Sequence, residues 1–384
     1  MFGKSSSSSS NEPTPAQLSS AANRFSLVEL RKLHTQLVEN KIIDDNNQHL
    51  VIEILRVIAE MVVYGDNKSE LLFDYFCEKN MLSLFVELMK SEHGCPSIVH
   101  IQILQTLSIL ISCVRNETSL YYLLSNNYIN EIIIYPHDYL NDESLCAQFA
   151  SFMKSLSLKL NIYTVQFFFI EETGAFPILT KAVELLTIPE PMVRIACQST
   201  ILNVYRVDDS RAIAYALQDD VLGFLCRQVI EFMEDQYLSI VKVSTSYFQA
   251  YRDRDEASCS KLEGRLEDLI SGTEDWFYYL QDLLDLEVPL LRKALTNSII
   301  TEYFIPILLM PVLKHHRQYL YNQQQQQLQS LRPLVLDDQL DPNDHIDLTA
   351  SLSYILQVRY LVLLHVPVPL SVKIMIVIIY DGDC

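Results

Sequence analysis

The sequence predicts an all-α fold, an irregular solenoid of stacked helix pairs. Three observations predict it. Apolar residues recur at intervals of three and four along most of the chain, the period of a helix with a buried face. The 384 residues include only 8 glycines, too few for the tight turns of a β-sandwich or the phosphate loops of a nucleotide-binding α/β fold. Linkers between the apolar stripes are short, roughly two to eight residues, which favours antiparallel neighbours.

Residues 1–24 form a leader. The run Ser5 to Ser10, followed by Asn11-Glu12-Pro13-Thr14-Pro15, carries too little apolar surface to offset the entropy of ordering it, so this segment is expected to be disordered. Helical order then starts. Ser26 and Glu29 form a capping box ahead of Leu27, Leu30, Leu33 and Leu37, which predicts a first helix to about Asn40. Leu50, Ile54, Val57, Ile58, Met61 and Val62 make the next stripe, and Tyr64-Gly65-Asp66 reads as its end. Pro96 fits the first turn of a helix carrying Ile101, Leu104, Leu107 and Ile111. Asp142 is placed to cap one with Leu145, Phe149, Phe152, Leu156 and Leu160. Pro191 opens another with Val193, Ile195 and Ile201.

Several of these helices are apolar on more than one side. Between Ile101 and Val114 the main polar breaks are Gln102, Gln105, Thr106, Ser108 and Ser112. A helix covered on two faces belongs in a stack, where each pair buries one face on the previous pair and one on the next. No fixed period with a recurring motif is evident, so the expectation is an irregular armadillo- or HEAT-like array. This helical domain is expected over residues 25–235. Residues 236–321 read as a helical continuation, with a charged loop at 252–256 and an acidic helix around Leu262 to Leu286. The glutamine tract Gln323–Gln327 and the stretch Pro333–Asp344 mark 322–346 as a linker or insertion. Residues 347–384 are expected to be hydrophobic C-terminal helices, either a buried final pair or a truncated segment.

Composition narrows the function classes. Asp plus Glu number 48 against 29 Lys plus Arg, a formal charge of −19. Such a surface repels phosphates and anionic headgroups, which argues against nucleic acid as a partner. The eight cysteines never stand as C-x-x-C, so no zinc ribbon or redox pair is expected. With no apolar signal segment at the start, a cytosolic chain with reduced thiols is expected. The apolar stretch Leu352 to Tyr380 is interrupted by Arg359, His365, Pro367, Pro369 and Lys373, which argues against a membrane-spanning helix.

Chemistry-bearing clusters are sparse. His93, Cys95 and His100 lie close together but have no fourth ligand at usable spacing. Lys314-His315-His316-Arg317 fits a helix C-terminus, where cations meet the dipole favourably. Glu263, Glu267, Asp268, Glu274 and Asp275 lack the spacing of a calcium loop. No nucleophile elbow, zincin, P-loop or dinucleotide fingerprint occurs. The sequence therefore predicts no catalytic residue, no cofactor and no metal.

Specific order, rather than amphipathicity, carries the functional signal. The stretches Phe73-Asp74-Tyr75-Phe76-Cys77-Glu78-Lys79-Asn80-Met81, Ile103-Leu104-Gln105-Thr106-Leu107, Ser155-Leu156-Ser157-Leu158-Lys159-Leu160-Asn161 and Pro189-Glu190-Pro191-Met192-Val193-Arg194-Ile195-Ala196 resemble the FPL-domain family. So does Asn116-Glu117-Thr118-Ser119-Leu120-Tyr121-Tyr122-Leu123-Leu124-Ser125-Asn126-Asn127-Tyr128, the most specific of them. The motif that names the domain stands as Phe176-Pro177-Ile178, with Ile where the family usually has Leu. The resemblance implies a cytoplasmic protein attached peripherally to endosomes, lysosomes or Golgi membranes. It implies roles in endosome maturation, lysosomal traffic and autophagy, including mitophagy through a ubiquitin-ligase partner. It implies no catalytic residue.

The expected mechanism is therefore docking of protein partners on the helical surface. Tyr121, Tyr122, Asn126 and Asn127 are the candidate partner-binding residues, with Arg194 a parallel one. The architectural alternative is that the asparagines end a helix and Arg194 pairs with a carboxylate. Two other classes compete with docking: a component of a ubiquitin-ligase complex, and a direct membrane binder using residues 352–384.

Overall fold

The computed structural model describes residues 25–318, apart from 69, 92–93, 137–140, 171, 312 and 315–316. The leader, the glutamine-rich linker, the hydrophobic C-terminal stretch and the His315-His316 pair lie outside the described residues. Among those described, every regular element is helical, so the chain is all-α. No helix among them is long and apolar enough to cross a membrane. The chain divides into two compact units at Asp209.

Among the described residues the first unit runs through ten α-helices: α1 (Leu27–Glu39), α2 (Gln48–Lys68), α3 (Glu70–Glu78), α4 (Met81–Met89), α5 (Ser97–Cys113), α6 (Glu117–Ser125), α7 (Tyr128–Ile134), α8 (Glu143–Ser157), α9 (Pro177–Leu185) and α10 (Pro191–Tyr205). A 3₁₀ turn, Val165–Phe168, precedes α9. Local chemistry sets many of the starts. Ser26 accepts from the Glu29 amide at 3.3 Å and opens α1. Asp142 accepts from the Leu145 amide at 2.9 Å and opens α8. Pro177 and Pro191 occupy the first turns of α9 and α10, where a missing amide hydrogen is harmless.

Nine of these helices, α2 to α10, stack in three rows, and α1 packs on α2 and α3. In the first row α2 packs on α5, α5 on α8 and α8 on α10; in the second α4 packs on α7 and α7 on α9. The third row places α3 beside α6 through Phe73 and Tyr122, whose rings stand edge to face at 6.2 Å, and α6 against the 3₁₀ turn. The first-row helices begin at Gln48, Ser97, Glu143 and Pro191, so the repeat is 46 to 49 residues. Each repeat is thus a triplet, where the sequence suggests pairs without a period. Its marker is conformational. Asn80, Asn127 and Gly174, each 47 residues from the last, hold positive φ of 47°, 57° and 67° just before the second-row helix. Gly adopts that backbone freely, and Asn or Asp at smaller cost than other residues.

Packing is dense between rows. Phe76, Phe85, Phe149, Phe152, Phe168 and Phe176 are fully buried, each contributing about 1.5–3 kcal/mol relative to exposure. Phe176 of the Phe-Pro-Ile motif stacks on Phe169 at 4.5 Å, and Ile178 is fully buried. That motif is architectural. Gly65 also departs from expectation: it lies inside α2 and is buried, because α3 approaches so closely that a Cβ there would sit 2.7 Å from the Leu72 Cβ.

Among the described residues the second unit holds α11 (Ser210–Ala216), α12 (Asp219–Asp253), α13 (Glu256–Asp285), α14 (Pro289–Ser298) and a π-helix, Ile299–Leu309, that contains Pro306. Proline supplies no amide hydrogen and disturbs α geometry in a helix interior. Long helices α12 and α13 pack as a hairpin turned by Arg254 in the left-handed conformation and by Asp255, which caps α13. Val243 is the last buried residue of α12 and Thr273 the first of α13. The end of the hairpin therefore projects from the core of its unit.

Candidate docking cleft

Where α2 ends, α3 and α6 leave a cleft of about 320 Å³. Its position follows from Gly65, which lets α3 turn back closely on α2. Asp66 then holds the start of α6: one carboxylate oxygen accepts from the Arg115 amide at 2.8 Å and the Asn116 amide at 3.3 Å. The other oxygen is buried without a donor. Asn116 in turn caps α6 by accepting from the Thr118 amide at 3.0 Å.

One wall of the cleft is α3, presenting Glu70, Phe73, Asp74 and Cys77; the other is the first turns of α6, with Tyr122 deepest along the helix. Glu70 and Asp74 stand four residues apart on one helix face, where like charges repel. Among the described residues no Lys, Arg or His pairs with either. The Tyr122 hydroxyl donates to the Cys77 carbonyl at 2.9 Å, which fixes its ring against Phe73.

This is poor ground for nucleophilic chemistry. Burial, and then the Asp74 charge, push the Cys77 thiol up to about 12. Burial likewise pushes the Tyr122 phenol up to about 12. Neither group ionises near neutrality, and an un-ionised thiol is a weak nucleophile. What the cleft offers is an anionic rim and an aromatic wall.

The sequence-predicted residues divide between rows. Tyr122 lines the cleft. Tyr121, its neighbour, turns toward Phe167 instead, ring centres 6.0 Å apart. Asn126 is the exposed C-cap of α6. Asn127 is the left-handed residue that opens α7, and its side-chain oxygen accepts from Asn130 at 2.9 Å. Asn130 also donates to the Phe167 carbonyl at 2.9 Å, tying this turn to the next repeat. Arg194 lies half-buried on α10, which packs on α8 and α9; the fold does not bring it to α6. Asp66, Glu70, Phe73 and Asp74 were not singled out from the sequence as site residues. The Glu70/Asp74 spacing was the signal available.

Of the cluster His93, Cys95 and His100, His93 lies outside the described residues. His100 is buried, with Nε2 3.1 Å from the Met89 carbonyl, and burial lowers its pKa. Burial pushes the Cys95 thiol up to about 12. Among the described residues no group of His, Cys, Asp and Glu is arranged to hold a metal ion.

The cleft, and all of the three rows except the first turns of α2, fall within residues 55–205. Residues 55–205 match the family model FPL, described as an uncharacterised conserved protein. A Drosophila melanogaster protein named CLEC16A homolog is 38% identical over 285 residues, 74% of this chain and 26% of the relative. Human CLEC16A is 33% identical over 363 residues, 94% of this chain and 31% of that protein. The Arabidopsis thaliana protein TRANSPARENT TESTA 9 is 32% identical over 290 residues, 75% of this chain and 33% of its own length. The chain thus spans about a quarter to a third of these relatives.

Proposed function

The chain belongs to the FPL-domain family through residues 55–205, and from that premise we propose that it is a non-enzymatic docking scaffold of endosomal maturation, lysosomal traffic and autophagy. The observation that carries the docking half is the open cleft between α3 and α6, whose free carboxylates and aromatic wall suit a protein ligand better than a reaction. Stacked repeats favour that role in general, because each repeat adds surface beside its neighbours without closing the array. The trafficking half rests on the family resemblance. On this reading the chain works in the cytoplasm, held peripherally on endosomal, lysosomal or Golgi membranes by its partners, among them a ubiquitin ligase in mitophagy.

Cells lacking the gene supply the test. Degradation of endocytosed cargo and turnover of lipidated autophagosome marker are measured with and without the restored chain. Slowed turnover that the chain corrects is the expected result. Turnover at the normal rate in the deleted cells would remove the trafficking reading.

A further inference from the structure

The cleft's chemistry defines its ligand more narrowly than the family does. We propose that it receives an arginine side chain of a protein partner, the guanidinium lying between the Glu70 and Asp74 carboxylates and over the Tyr122 ring. This rests on the docking reading of the same cleft and adds the identity of what docks.

Charge complementarity selects a cation. Glu70 and Asp74 repel each other across one helical turn, and among the described residues neither has a counter-charge. A bound cation relieves both. Shape then selects the kind of cation. A space of about 320 Å³ is at the small end of ligand pockets, roughly 300 Å³ upward, so it suits a side chain rather than a cofactor. Phe73 and Tyr122 supply a rigid aromatic wall, held by the bond from Tyr122 to the Cys77 carbonyl. Guanidinium is planar, stacks on aromatic faces and has five donors for spread acceptors; an ammonium is a compact, strongly hydrated point charge. The carboxylates rim an aromatic groove rather than converge on one point, which disfavours a metal ion.

The experiment uses the full chain and two probes, acetyl-Leu-Arg-Leu-amide and the same peptide with citrulline for arginine. Citrulline keeps the shape and removes the charge. Binding is followed by saturation-transfer NMR. The wild-type chain is expected to bind the arginine probe about tenfold more tightly, the usual scale of a charge-assisted pair. Glu70→Gln/Asp74→Asn should abolish that preference. The control Glu263→Gln/Glu267→Gln removes two charges at the same spacing on α13, far along the sequence, and should keep it. Equal affinity for the two probes, or equal loss in both double variants, overturns the proposal, since the second outcome means diffuse attraction to a chain of charge −19. Should the cleft double variant unfold, Glu70→Gln and Asp74→Asn are read singly, each expected to reduce the preference about threefold; an unchanged preference in both overturns the proposal. Loss of cellular rescue with intact probe binding would sink the trafficking reading alone.

Discussion

Asn127 was chosen for its backbone as much as its side chain. At φ 57° a residue with a Cβ pays about 1–2 kcal/mol unless it is Asn or Asp, and its side-chain oxygen also accepts from Asn130. Asn127→Ala loses both features, whereas Asn127→Gly loses only the hydrogen bond. Urea unfolding should therefore show Asn127→Ala about 2 kcal/mol less stable and Asn127→Gly about 1 kcal/mol less. Equal values would mean the backbone conformation carries no strain. His100 makes a second prediction at this scale. Its folded pKa lies below the ordinary 6.5 because burial disfavours the charged ring, so the unfolded chain binds the extra proton first as pH falls. Stability from the neutral ring is complete above 6.5 and declines as pH drops through it. His100→Gln, which can still donate to Met89, should flatten the decline between pH 7.5 and 5 in pH-dependent urea titrations; an unchanged slope would refute this. At this scale much was legible in the sequence. Ser26 and Asp142 declare themselves because caps are local chemistry. The repeat does not, since Asn80, Asn127 and Gly174 share a dihedral angle and not an identity.

Elements meet through close approaches that sequence patterns leave open. Gly65 reads as a helix terminator by its type, yet α2 continues to Lys68. The reason is tertiary: α3 leaves no room for a methyl group beside Leu72. Gly65→Ala should therefore destabilise the first unit by about 1–3 kcal/mol, as overpacking does, and it should also open the cleft that this contact shapes. Gly264 is the contrasting case, helical and with nothing near its missing Cβ. There Ala should stabilise by about 0.5–1 kcal/mol. Paired denaturant curves check both signs, and a stabilised Gly65→Ala would contradict the packing. The cleft escaped sequence reading for a related reason. Its carboxylates sit on α3 and its capping asparagine on α6, some 40 residues apart, joined only when the repeats stack.

At the scale of the molecule, the division at Asp209 is a statement about independence. All three rows of the stack, and every residue lining the cleft, belong to the first unit. Contacts between repeats are made to immediate neighbours: Asn80 to Tyr128 at 2.7 Å, Lys159 to the Ser112 carbonyl at 3.4 Å, Asn203 to Ser157 at 3.0 Å. Such nearest-neighbour coupling makes a short stack stable as the sum of its repeats and interfaces. Residues 1–209 expressed alone should therefore fold as a helical unit and unfold in one cooperative urea transition followed by circular dichroism. The same fragment should retain the preference for the arginine probe over citrulline, because no lining residue lies beyond Tyr122. A broad, sloping transition would show that the stack depends on residues after 209. A sharp transition without the probe preference would leave the fold intact and remove the cleft from consideration.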